Sequence, residues 1–278
     1  MNIIPKIADG DVENIENIQH FITDTTDKIE IQMLSEDLLK SLSKCIKIIE
    51  HFDGLNYIVL HLPFSMMNIC YIHSNYEIEK KFLLFVVEVI KYSLRTNKKI
   101  DILFHISMRC DEFVSIGGIN FLKYLCSMVE NTNVGFLLEN SIINLNLDDN
   151  DLMTECKIFK IFEHEKLNFC FDLCHWQASE NVLNKELNLT NEILRKLKNC
   201  HFSMTLDSDG YKNKEKTHGK GHESVELCLK DLEYMKKKGI DLESVNLITE
   251  INENDYKLRP NMCKELNYLW IIYLKGVL

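Results

Sequence analysis

Asn168-Phe169-Cys170-Phe171-Asp172-Leu173-Cys174-His175-Trp176 is a short apolar run that ends in an acidic residue and, three positions later, a histidine. A continuous apolar run of this length is the signature of a parallel strand buried on both faces. In barrels of alternating strands and helices, the side chains that do chemistry stand where the strands end. An Asp-x-x-His at such an end therefore offers an oxygen and a nitrogen ligand to the mouth of a barrel.

The same pattern extends in both directions along the chain. An apolar segment at Ile3 to Ala8 precedes a weakly helical stretch from Val12 to Ile22, and Lys28 to Met33 alternates with period two as a strand does. Ser35-Glu36-Asp37 opens an amphipathic helix with apolar positions at Leu38, Leu39, Leu42, Ile46 and Ile49, and Ser35 is the expected N-cap. Tyr57 to Phe64 reads as a strand, Tyr76 to Leu94 as a helix, Ile100 to His105 as a strand, and Gly118 to Val129 as a helix. Val134 to Asn140 is a strand, and a helix near Leu152 to Phe162 leads into the opening stretch. Beyond it, Asn191 to Leu197 is helical, Cys200 to Leu206 extended, and Val225 to Lys238 helical up to Gly239. Val245 to Ile251 is the eighth strand, and a helix from Pro260 to Leu274 closes the series. Eight strands alternating with helices predict an α/β chain folded as a closed (β/α)8 barrel, in one domain spanning residues 1–278. An open doubly wound sheet is the alternative, but no Gly-rich phosphate turn supports it.

Composition narrows the functional classes. A formal net charge of -10 disfavours a protein that wraps polyanions by bulk electrostatics, although metal ions can build a local cationic groove. The ten cysteines lie singly in apolar segments, which predicts reduced buried thiols rather than disulfides. The start Met1-Asn2-Ile3-Ile4-Pro5-Lys6 lacks an apolar signal core, and no long apolar run occurs. The expectation is a soluble, cytoplasmic protein with no membrane partner.

The strand ends share a chemistry. His61, His105, Glu139, Asp172 with His175, His201 and Glu250 all stand at or near them, and His218 follows in the long loop after the seventh strand. Brought to one rim, several carboxylates need a cation to offset their charge. Imidazole and carboxylate donors without thiolate suit Zn, Mn, Fe or Co, and a bridging carboxylate allows more than one ion.

The ordered set His61-x-Pro63, His105, Leu138-Glu139-Asn140, Asp172-Leu173-Cys174-His175, His201 with Asp209-Gly210, His218 and Thr249-Glu250 resembles the xylose-isomerase-like TIM-barrel superfamily. That superfamily holds sugar and sugar-phosphate isomerases and epimerases together with AP endonucleases of the endonuclease IV type. For the epimerase branch, the resemblance implies one metal held by Glu139, Asp172, His201 and Glu250, with Glu139 and Glu250 also moving a proton beside a metal-polarised carbonyl. For the nuclease branch, it implies that His61, His105, His175 and His218 add to a three-zinc cluster. This chain departs from that branch before the loop histidine, where Lys216-Thr217-His218 lacks the usual Asp and Glu215 or Asp209 is the substitute at hand. Loops after His105 and Glu139 are poor in arginine, and Lys216 and Lys220 form a basic stretch that fits a sugar phosphate. The expected function is a divalent-metal-dependent sugar or sugar-phosphate isomerase or epimerase, with Zn or Mn as cofactor and a small-molecule substrate. The alternatives are an endonuclease-IV-like phosphodiesterase acting on DNA and a barrel that binds a ligand without turnover. The oligomeric state is left open by the sequence.

Overall fold

A computed structural model describes residues 2–16, 19, 26–141, 153–203 and 225–250, with the backbone alone at 182, 203, 225–230 and 250. Lys216, His218, Lys220, Asp209, Glu215 and the helix expected over Pro260 to Leu274 lie outside the described residues, as do residues 17, 18 and 20–22 of the stretch from Val12 to Ile22.

Eight parallel strands form one closed barrel in sequence order: β1 (Asn2–Ala8), β2 (Lys28–Gln32), β3 (Tyr57–His61), β4 (Lys99–His105), β5 (Val134–Glu139), β6 (Leu167–Asp172), β7 (Leu197–Ser203) and β8 (Asn246–Glu250), with β8 pairing back onto β1. The apolar runs form these strands because each is covered twice, by the barrel interior on one face and by helices on the other. The outward faces supply the larger core, in which Ile58, Leu60, Ile102, Phe104, Phe136, Leu138, Phe169 and Phe171 pack fully buried against the surrounding helices. Inside the barrel, Ile4, Val59, Leu103, Leu137, Cys170 and Ile248 make a separate apolar layer.

The helices are α1 (Leu38–His51), α2 (Ile69–Ser74), α3 (Tyr76–Thr96), α4 (Cys110–Ser115), α5 (Gly118–Val129), α6 (Thr154–Ile161), α7 (Leu173–Leu183), α8 (Asn191–Lys196) and α9 (Val225–Lys237), with a 3-10 turn at Asp9–Asn14. Asp37 rather than Ser35 caps α1: its Oδ1 accepts from Lys40 N at 3.1 Å, while Ser35 Oγ accepts from Asp37 N one step earlier. Gly239 ends α9 as expected, at φ +85°, a backbone region that costs glycine nothing. Strand β7 begins at Leu197, three residues before the reading from sequence, because the polar Lys198 and Asn199 serve the barrel interior and broke the apolar run. Helices α2, α4 and α7 are short or polar-interrupted and escaped that reading.

All eight described cysteines are buried, and none of them forms a disulfide. Among the described residues, no helix is long and apolar enough to cross a membrane.

Candidate metal centre

Strand register brings the polar residues together. Lys6 on β1 is the Cα partner of Glu30 on β2, His105 on β4 partners Glu139 on β5, and Asp172 on β6 partners His201 on β7. A register shift between Phe169 and Cys170 sets the last of these pairings. The result is a cluster at the C-terminal end of the barrel in which Glu30, His61, His105, Glu139, Asp172 and His201 are all buried.

Glu139 is the hub. Its Oε1 lies 3.3 Å from His201 Nδ1 and 3.5 Å from His175 Nδ1. Its Oε2 lies 3.4 Å from His105 Nε2 and 4.0 Å from His61 Nε2, and hydrogen-bonds to neither. The imidazoles form an arc around it, His61 to His201 at 5.6 Å, His61 to His105 at 5.9 Å and His105 to His175 at 5.8 Å between ring centres. Burial alone would raise the Glu139 carboxyl, but His105, His201 and His61 hold it below the usual carboxylate range. Burial pulls His105 down to about 4 against the pull of Glu139, so its imidazole is neutral at neutral pH with a lone pair available.

Asp172 has two tasks. One oxygen caps α7, accepting from His175 N at 2.6 Å, while the other faces His201 Nδ1 at 3.7 Å. Helix capping, the ordinary reason for an Asp at this position, thus leaves an oxygen for the cluster. His175 Nδ1 donates to the Asn140 carbonyl at 2.9 Å, so its hydrogen sits on Nδ1 and the lone pair on Nε2. Asn140 itself locks β5 to β6, its side chain donating to Asp172 O at 2.9 Å and accepting from Asp172 N at 2.7 Å.

Two residues escaped the sequence reading. Glu30 Oε2 lies 2.9 Å from His201 Nε2, and Glu30 Oε1 lies 3.1 Å from both His61 Nδ1 and Lys6 Nζ. Burial by itself would raise the Glu30 carboxyl, but His201 and Lys6 beside it hold it well below the usual range. The signal was present in the alternation of Lys28, Glu30 and Gln32. Both faces of a barrel strand are covered, so its polar alternate residues line the interior rather than meeting water.

Of the residues expected from sequence, the structure brings Glu139, Asp172, His175, His201, His61 and His105 to one place. Glu250 ends β8, with its Cα paired to Ser203 of β7, and its side chain lies outside the description, as do His218, Lys216 and Lys220. Buried imidazole and carboxylate atoms within 4.8 Å of one another fall into overlapping groups: Glu30, His61 and His201; His61, His105 and Glu139; Glu139, Asp172 and His175; and Glu139, Cys170 and His201. Burial pushes the Cys170 thiol up to about 12, so in the metal-free chain it is protonated and the lone-pair and anionic donors are the imidazoles and carboxylates. The remaining atoms fit a divalent cation. Among the described residues the cluster holds three carboxyl groups and one ammonium, the latter paired with Glu30, and His61 Nε2 and Glu139 Oε2 are buried without a hydrogen bond.

No family model and no curated protein matches the chain. Solved structures do. A D-tagatose 3-epimerase-like protein superposes with a TM-score of 0.60 at 17% identity over 99% of this chain and 100% of its own. Endonuclease IV from Thermus thermophilus gives 0.60 at 14% over 97% and 99%, and a 3-keto-D-glucoside 4-epimerase from E. coli gives 0.57 at 11% over 96% and 99%. With its closed eight-stranded barrel, strand order and full-length overlap, the chain shares the (β/α)8 fold of these epimerase-like and endonuclease IV structures.

Proposed function

We propose that this chain is a metal-dependent phosphodiester hydrolase, with abasic-site DNA as its first candidate substrate. The observation that carries the reading is the division of labour at Glu139. One oxygen faces His175 and His201, the other faces His61 and His105, and a carboxylate addressed from two sides suits a bridge between two ions. His61 and His105 would hold one ion with Glu139 Oε2; Asp172 and His201 would hold another with Glu139 Oε1, and His175, whose Nδ1 hydrogen is given to the Asn140 carbonyl, would join only through Nε2. Divalent ions bound there supply Lewis-acid neutralisation of charge on a phosphoryl group. The chain's own part is to keep those ligands neutral or anionic in a buried setting and to hold them on rigid strand ends.

The rim adds a second support. Phe64, three residues after His61 in the connection from β3 to α2, is 88% exposed, and Leu34 after β2 is 62% exposed. Apolar side chains projecting beside a mouth suit a stacked or splayed nucleic acid better than a small polyol. The T. thermophilus endonuclease IV is among the structural neighbours.

A single-ion isomerase or epimerase is the second reading, and the convergence of Glu139 and Asp172 on His201 Nδ1, at 3.3 and 3.7 Å, favours it. There Glu139 and Glu250 would exchange a proton with carbon. Elemental analysis together with an abasic-plasmid assay separates the two. More than one ion per chain and nicking that Glu139→Ala abolishes support the hydrolase. One ion per chain, an intact plasmid and deuterium uptake by a ketose support the isomerase. Phe64→Ala should slow nicking while leaving hydrolysis of a small aryl phosphodiester unchanged.

A further inference from the structure

Glu30 is nearly inaccessible to solvent and touches two imidazoles at once, from the side away from Glu139. Its Oε1 sits 3.1 Å from His61 Nδ1 and its Oε2 sits 2.9 Å from His201 Nε2. The opposite ring nitrogens face the hub: His201 Nδ1 is 3.3 Å from Glu139 Oε1, and His61 Nε2 is 4.0 Å from Glu139 Oε2.

We propose that Glu30 is a positioning residue of this centre: one buried carboxylate that accepts a hydrogen bond from each of two ligand imidazoles and thereby selects which nitrogen each presents to metal. The inference rests on the metal-centre reading above but not on the reaction catalysed. A carboxylate that stays ionised only accepts, so His201 Nε2 facing it carries the hydrogen; at His61 Nδ1 the Lys6 ammonium, a donor at 2.9 Å, competes with it, and the proposal gives that nitrogen's hydrogen to Glu30. A neutral imidazole has one N–H, and its lone pair is then on the far nitrogen. Glu30 therefore leaves His201 with its lone pair on Nδ1 and His61 with its lone pair on Nε2, the atoms that face Glu139.

Lys6 explains why the device needs an acid at this place. Its Nζ lies 2.9 Å from His61 Nδ1 and 3.1 Å from Glu30 Oε1. An ammonium only donates. Without Glu30, Lys6 would hydrogen-bond to the His61 Nδ1 lone pair, moving the ring hydrogen to Nε2 and closing that atom to metal. With Glu30 present, Lys6 has an anionic acceptor and offsets the buried charge, and His61 Nδ1 can donate.

The test uses zinc as the probe, with the full chain. Affinity is read by competition with a chromophoric chelator, ions per chain by elemental analysis, and the ring hydrogens by 15N NMR of histidine in the zinc-loaded protein. Glu30→Gln keeps the volume but accepts from only one side, and should weaken zinc binding roughly 10- to 100-fold with ions per chain unchanged at saturation. Glu30→Ala should weaken it further, and adding Lys6→Met to Glu30→Ala should recover part of the loss, which a merely structural role would not do. The wild-type spectrum should place the hydrogens on His201 Nε2 and His61 Nδ1. If Glu30→Ala does not fold, the Gln variant carries the test. Wild-type affinity in Glu30→Gln overturns the proposal, as do loss of one whole ion per chain, which makes Glu30 itself a ligand, and ring hydrogens on the nitrogens facing Glu139. Zinc binding that depends on Glu30 without any nicking overturns the hydrolase reading and leaves this one standing; nicking with Glu30-independent binding does the reverse. No zinc binding by the wild type overturns both.

Discussion

The barrel interior carries two polar regions separated by the apolar layer of Val59, Leu103, Leu137, Cys170 and Ile248, and they are built on opposite principles. At the N-terminal end, Tyr57 donates to Asp101 Oδ2 at 2.6 Å, Lys198 pairs with the same carboxylate, Asn199 Nδ2 donates to the Tyr57 hydroxyl at 3.1 Å, and Asn246 links Asn199 to Lys28 at 2.8 and 3.1 Å. Gly135 leaves the room this needs, since a Cβ there would stand 2.6 Å from Asp101 Oδ1. None of these side-chain atoms is buried without a hydrogen bond. At the C-terminal end His61 Nε2, His105 Nδ1 and Glu139 Oε2 are. A closed network spends its donors and acceptors on itself and contributes specificity and stability. An open one stores them for a ligand.

That contrast can be broken at its strongest point first. Glu139→Ala removes the hub and should cost several kcal/mol of transition-state stabilisation, or about 1,000-fold in the rate of nicking, with the circular dichroism of the folded barrel retained. Asp101→Ala should do the opposite: it leaves the Lys198 ammonium and the Tyr57 hydroxyl without their shared partner and should cost about 3 kcal/mol in a denaturant titration, while zinc stoichiometry stays as in the wild type. Equal effects of both variants on both measurements would erase the distinction between the two ends.

A third prediction concerns the wall of the centre. Glu155 on α6 is buried, and burial raises its carboxyl to about 7 despite hydrogen bonds from Ser141 N and Oγ to its Oε1. The folded chain therefore holds a proton there that the unfolded chain releases near 4.5, so stability should fall as pH rises from that value through about 7. Glu155→Gln removes the loss while keeping an acceptor for Ser141. The variant should match the wild type near pH 4 and exceed it by on the order of 3 kcal/mol above pH 7, read from thermal or denaturant midpoints. A gap that is constant with pH would show that Glu155 carries no such load. The smallest effect is expected at Asn140. Asn140→Ala deletes two buried hydrogen bonds to the Asp172 backbone, which should cost about 2 kcal/mol of stability and weaken zinc binding modestly by loosening Asp172.

Much of this was legible without coordinates, for reasons that particular residues show. The apolar run ending at Asp172 announced a buried parallel strand, and the recurrence of such runs with His or carboxylate at their ends announced a barrel mouth. Residues inside strands were harder. Lys6 and Glu30 lie within otherwise apolar or alternating segments, and whether such a residue faces water or a shared interior depends on what covers the strand. Helix α7 was hidden because its Asp172-x-x-His175 start reads equally as a ligand motif and as a capped first turn, and the structure shows the capped turn.

Local sequence determined the period and length of the strands and helices, the buried reduced thiols, and the placing of nitrogen and oxygen donors at strand ends, because those properties depend on a few neighbouring residues. Only the closed barrel decided which donors meet. Register pairs Lys6 with Glu30, His105 with Glu139 and Asp172 with His201, and a single shift at Phe169 and Cys170 sets the last of them. Contacts between residues 30 and 201, which give the centre its outer carboxylate, arise from the closure of the sheet around a common axis, a property of the whole chain.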